Sequence, residues 1–184
     1  MPMHRRSFLE LALVALPLPL VGQTPSTPSS TAPSPVAAGA DREAKMRPLG
    51  PNLASYKVLT RETGGGLFVM EETNRTKGGP PLHLHHAEDE LFYVLEGEYI
   101  VQVGEQRSRL KTGDCVLGPR GIPHAFARVG ESTGRLLISY APAGKMEAFF
   151  NEITGITPPG KYANDADMLR AYGMEAVGPQ IPVS

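Results

Sequence analysis

The sequence predicts an all-β sandwich or barrel, and three observations carry that expectation. From residue 55 onward, short runs of β-branched and aromatic residues recur, separated at intervals of about eight to twelve residues by glycine, proline and acidic turns. The turns "EGE", "VGEQ", "KTGD", "PRGIP" and "GESTG" each carry a glycine able to take the positive φ that tight hairpins need. No repeat of roughly twenty to fifty residues is visible, which argues against a duplicated two-barrel chain.

Candidate strands follow in order: "SYKVLT" (55–60), "GLFVMEET" (66–73), "PLHLH" (81–85), "ELFYVLEG" (90–97), "EYIVQVG" (98–104), "QRSRLK" (106–111), "DCVLG" (114–118), "HAFARV" (124–129) and "RLLISYAP" (135–142). The segment 90–104 is apolar on both parities. One face is therefore expected inside the barrel and the other covered by a second sheet or by a subunit, which suggests a homodimer. The tail changes period. "GKMEAFFNEITG" places Met146, Phe149, Phe150 and Ile153 at helical spacing before Gly155, and "NDADMLRAYG" runs from an Asn or Asp cap to Gly173. Two short helices are expected there, with their apolar stripe covering the outside of the barrel.

The N-terminal residues read differently. "MHRRSFLELALVALPLPLVG" has a basic start and an apolar run from Phe8 to Val21, broken by Pro17 and Pro19. It reads as an export signal and not as a membrane anchor. Paired Arg5 and Arg6 before Phe8 and Leu9 resemble a twin-arginine signal, which predicts export to the periplasm. "QTPSTPSSTAPSPVAAGA" follows, too poor in apolar side chains to fold. The expected organisation is a signal over 1–22, a disordered linker over 23–44, a β-barrel over 45–145 and a helical extension over 146–184. The 184 residues carry 18 basic and 19 acidic side chains with no charge run, so neither nucleic acid nor, once the signal is removed, a membrane is an expected partner. A small-molecule substrate is. The one cysteine, Cys115 in "CVLG", makes no intramolecular disulfide and reads as a buried small hydrophobe.

The chemistry concentrates in "GGPPLHLHHAEDELFYVLEG" (78–97). His83 and His85 alternate on one strand and share a face. Glu90 lies at an odd separation from His85, but a turn through "HAED" restarts the next strand with free parity and lets Glu90 point inward beside Phe92 and Val94. His86 has the wrong parity and reads as a turn or rim residue. His124 opens a later strand that a barrel can bring close. Three neutral imidazoles and a carboxylate suit one divalent transition ion: iron, manganese, nickel, cobalt, copper or zinc. Four protein ligands on an octahedral ion leave two positions for small molecules.

These residues resemble the cupin superfamily. Gly79, His83, His85, Glu90 and Gly97 stand in the order of its first motif, with a shorter gap before His83 than is usual. "GDCVLGPRGIPHAFAR" is similar to the second motif, with Gly113, Pro119, Gly121 and His124 in place and Arg128 where the consensus has asparagine. Arg128 is expected either at the rim of the site or in solvent. The resemblance implies a double-stranded β-helix, a jelly-roll barrel, with His83, His85, Glu90 and His124 as metal ligands; Glu88 and Asp89 compete for the carboxylate role. Within the superfamily the chain looks like the quercetin dioxygenase-like single-domain proteins, which implies an oxygenase on a small oxygen-chelating substrate, with Glu90 as catalytic proton acceptor. The other readings are a metal-dependent isomerase or lyase of a sugar or small acid, and a non-catalytic binding module. Phe92, Val94, Phe126 and Ile138 are expected to wall the pocket. Tyr99, Gln102 and Arg128 are the nearest candidates for orienting groups, although surface positions suit each better.

Overall fold

The computed structural model describes residues 34–154 and 165–183. The expected signal and the first part of the expected linker lie outside the described residues. Among the described residues no helix is long and apolar enough to cross a membrane. Two antiparallel sheets face each other. One runs β1 (Arg47–Leu49), β2 (Asn52–Val58), β3 (Phe68–Asn74), β10 (Gly134–Ala141), β5 (Asp89–Glu96), β8 (Cys115–Gly118); the other runs β11 (Met174–Gln180), β4 (Pro81–His85), β9 (His124–Arg128), β6 (Glu98–Val103), β7 (Gln106–Lys111). From β3 to β10 the chain passes repeatedly from one sheet to the other, which is the winding of a double-stranded β-helix. Helices α1 (Met146–Ile153) and α2 (Ala166–Ala171) precede β11.

Period-two alternation builds the interior. Along β10, Leu136, Ile138 and Tyr140 are buried while Arg135, Leu137 and Ser139 are only partly so. Tyr56, Met70, Ile138 and Phe92 stand in register across β2, β3, β10 and β5 and are all buried. Side chains of this size contribute about 1.5–3 kcal/mol each on burial. β9 is buried on both faces because it is central in its sheet: Phe126 points inward, while Ala125 and Ala127 pack with Ile181 on the other side.

The structure departs from the sequence reading in several places. The expected helical extension contains β11, which pairs with β4 and places Met174 opposite His85. The stripe Met146, Phe149, Phe150 and Ile153 does not cover the outside of the barrel; it joins the main core and closes one end of the cavity within. The expected linker ends before residue 44. The Asp41 carboxylate accepts from the Tyr56 amide at 2.8 Å and pairs at 2.9 Å with buried Arg47, whose guanidinium lies 3.7 Å over the Tyr56 ring. Cys115 is exposed, because Val116 and Gly118 take the inward parity of β8 and leave Cys115 paired outward with Tyr93. Arg128 is buried, and donates to the carbonyls of Thr76, Gly130 and Ser132, tying down two loops where rim or solvent was expected.

Candidate metal centre

Three strands deliver the four side chains singled out in the sequence. His83 on β4 is the register partner of His124 on β9. Glu90 on β5 sits between Gly118 of β8 and Tyr140 of β10. His85 follows His83 on the same face, so one potential ligand atom from each of His83, His85, Glu90 and His124 lies within 4.8 Å of every other. The approach depends on Gly118, where a Cβ would stand 2.9 Å from the His124 ring.

Hydrogen bonding fixes which nitrogens face inward. His83 Nδ1 donates to the Pro81 carbonyl and His124 Nδ1 to the Ile122 carbonyl, each at 2.8 Å. A carbonyl can only accept, so in the neutral rings Nε2 carries the free lone pair. Both Nε2 atoms turn to Glu90 Oε2, at 3.8 Å for His83 and at a hydrogen-bonding 2.8 Å for His124, whose Nε2 can donate to the carboxylate only by carrying a second ring proton. The second carboxylate oxygen, Oε1, accepts the Tyr140 hydroxyl at 2.9 Å.

His85 is the odd member. Its Nε2 is 3.2 Å from Glu90 Oε2 and its Nδ1 is 3.7 Å from Glu88 Oε2, yet neither nitrogen is aligned for a hydrogen bond, and Glu88 Oε2 is equally unsatisfied. Buried polar atoms without partners cost on the order of 1–3 kcal/mol each. The charges tell the same story. Burial would lower the His85 pKa, but Glu88 and Glu90 outweigh it and push it up to about 9. Burial would raise Glu90, but the imidazoles of His124 and His85 hold it well below its ordinary range. Burial lowers His83 to about 4, leaving it neutral. Two buried carboxylates thus hold a proton where a dication would satisfy them and occupy the orphaned nitrogen of His85. The donor set fits a divalent transition ion, with Glu88 positioned behind His85 as a carboxylate partner.

The competitors sort cleanly. Asp89 points outward and pairs with Arg120 at 2.9 Å; His86 is exposed. Glu88 does not belong to a solvated turn, as its polarity suggested, but is 3% exposed. Of the expected pocket wall, Phe126 and Ile138 line a cavity of about 390 Å³ that also touches His83, His85, Glu90 and Tyr140, whereas Phe92 and Val94 belong to the core behind it. Tyr99 is buried, with its hydroxyl donating to Asn74 Oδ1, and Gln102 bonds locally to the Gly104 carbonyl, so neither touches the cluster. Tyr140 is the functional neighbour that sequence reasoning missed, although it shares the parity of Ile138.

A cupin domain model matches residues 71–140, a stretch that holds all four clustered residues. An uncharacterised protein of Streptomyces coelicolor is 32% identical over 93 residues, covering 50% of this chain and 83% of that protein. This chain belongs to the cupin superfamily. A second uncharacterised relative, from Methanocaldococcus jannaschii, is 31% identical over 62 residues, or 33% of this cupin and 50% of that protein. Among solved structures, KdgF from a Halomonas species superposes with a TM-score of 0.51 at 20% identity over 60% of this cupin and 94% of that chain, a likeness of fold.

Proposed function

We propose that this cupin is a metal-dependent oxygenase acting on a small organic substrate that chelates through paired oxygens. The observation that carries the reading is the contrast inside the cavity. Four ligand-type side chains converge at one place, three of them on the cavity, while Phe126, Ile138, Met146, Phe149 and Phe150 give it apolar walls and Glu72, Asn52 and Lys77 add a few polar groups. Such walls suit a planar, weakly polar molecule and dioxygen; the hydroxyls of a sugar would go largely unpartnered there. An ion held by His83, His85, Glu90 and His124 would polarise the substrate oxygens and bring dioxygen beside them.

The protein's own part is orientation and proton handling. The hydrogen bonds of His83 to Pro81 and of His124 to Ile122 keep both Nε2 atoms aimed at the ligand position. Glu90 takes the proton that an enolic substrate loses on binding, with the Tyr140 hydroxyl at 2.9 Å able to support either protonation state of the carboxyl. Helix α1 contributes the buried, apolar Met146, Phe149, Phe150 and Ile153 to the cavity lining. The same Glu90–Tyr140 pair favours a second reading, metal-assisted isomerisation or lyase chemistry, which needs a proton shuttle and no oxidant.

Dioxygen uptake by the iron- or nickel-loaded protein, with a panel of flavonols and diketones, separates the two. Consumption coupled to substrate loss supports the oxygenase; undiminished turnover under anaerobic conditions overturns it. Export by the twin-arginine route, which carries folded proteins and permits metal loading beforehand, belongs to the same proposal, as does a homodimer. The second is supported by an apolar outer face on which Tyr93 is 38% and Leu117 49% exposed. Leu117→Glu is expected to move the sedimenting species from dimer to monomer.

A further inference from the structure

The cavity has a second polar element, remote from the ligand cluster. Along β10, the partner of Glu90 is Tyr140 and the partner of Glu72 is Leu136. The two rows are therefore separated by roughly 13 Å of strand. Glu72 nevertheless lines the same cavity, as do the partly exposed Asn52 and Lys77 and the exposed Gln180.

Glu72 is held by a hydrogen-bond chain that leaves one oxygen free. Its Oε1 accepts from Asn74 Nδ2 at 2.6 Å and from Asn52 Nδ2 at 3.1 Å. Asn74 is fixed in turn by the Tyr99 hydroxyl at 2.7 Å, and Asn52 by accepting the Arg75 amide at 3.0 Å. Among the described residues no donor reaches Glu72 Oε2, and Glu72 is one of the side chains that line the cavity. A carboxyl oriented by two buried side chains, Asn74 and Tyr99, and by the partly exposed Asn52, on the lining of a mostly apolar cavity, is arranged to meet a ligand. Burial pushes Glu72 up to about 7, against the lowering effect of the two amides, so both protonation states are accessible near neutrality. A hydroxyl both donates and accepts, so it can satisfy either state.

We infer that Glu72 is a specificity-determining residue that selects elongated, mostly apolar substrates bearing a chelating oxygen pair at one end and a hydroxyl at the other. The two polar ends would stand on the order of 10 Å apart, given the row separation and the inward lean of both side chains. The inference rests on the chelating-substrate reading above.

A pair of diketones tests it: 1-phenylbutane-1,3-dione and its 4-hydroxyphenyl counterpart, titrated calorimetrically into the metal-loaded protein. The wild type is expected to favour the hydroxylated ligand by about tenfold. Glu72→Gln should keep most of that preference. Glu72→Leu should abolish it while leaving the metal content unchanged. Should Glu72→Leu not fold, Glu72→Met, closer in shape, carries the same reading. Binding of both ligands without preference in the wild type, or a preference that survives in the apolar variant, overturns the role of Glu72 alone. Failure of either diketone to bind, or binding indifferent to metal removal, overturns the chelating-substrate reading and this inference with it.

Discussion

Glu90 and Glu72 are both buried in one cavity, yet they are driven in opposite directions. Glu90 stands among three imidazoles and is held well below the ordinary range of a carboxyl; Glu72 stands among two amides and is pushed up to about 7. Burial acts alike on both, as a cost on the charged form. The difference lies in what the neighbours can offer. An imidazole can carry a positive charge or give way to a cation, whereas an amide offers only a dipole. One end of the cavity is therefore built to hold an ion and the other to read a neutral polar group.

The strongest way to break that comparison is to remove the imidazoles. His83→Ala, His85→Ala and His124→Ala are each expected to strip most of the bound metal, a loss in affinity of more than about 100-fold. His86→Ala should leave the stoichiometry unchanged, since that side chain is 57% exposed and turned towards Glu175. Elemental analysis of the four purified variants decides it. Equal loss in all four would mean that the cluster does not define the site.

This end of the cavity was legible in the sequence because it depends on parity and on a turn. His-x-His on a strand must share a face, and the restart after "HAED" frees Glu90 to point inward. The Glu72 end was not legible. It needs Asn52 from β2 and Asn74 from β3 to converge on one oxygen, and single polar residues within apolar strands carry no signal of convergence. The strand β11 was missed for a similar reason: "MEAVGPQ" contains Gly178 and Pro179, which suit an edge strand but break the pattern of a central one. Asp41 and Glu43 were assigned to the linker because composition alone marks the stretch before them, whereas their partner Arg47 becomes visible only once the chain folds back.

A second test bears on Glu72 directly. A carboxyl whose folded pKa lies above its ordinary value of 4.5 binds its proton more tightly in the folded state, so the stability it lends is complete below about 4.5 and is lost as pH rises to about 7. The full span is on the order of 3 kcal/mol. Glu72→Gln removes the titration while keeping an acceptor for Asn52 and Asn74. Denaturant unfolding should give the variant little advantage at pH 4.5 and a gain approaching that span at pH 8. The groups that could obscure the effect are Glu90, Tyr99 and Tyr140, and all three remain in the variant, so the difference between the two curves isolates Glu72. A constant difference across the range would place Glu72 with the solvated carboxylates and erase the contrast.

The finest distinction lies within the ion-holding end, between a residue that would touch the metal and one that acts through another. Glu88 stands 3.7 Å from His85 Nδ1, and its pKa is lowered because His85 outweighs the burial that would raise it. If it orients His85 and offsets its charge, Glu88→Gln should weaken metal binding about 10- to 100-fold, or about 1.4–2.7 kcal/mol, while leaving the number of bound ions at saturation unchanged. A second route reaches the same carboxylate without touching it. Gly144 has a φ of +49°, and a Cβ there would lie 1.7 Å from Glu88 Oε1. Gly144→Ala must therefore displace Glu88 and should reproduce the metal affinity of Glu88→Gln, although the residue itself is in the loop before α1. Agreement between the two, measured by competition against a chelator, would assign Glu88 to positioning His85; a normal affinity in both would make it only a buried charge that the fold tolerates.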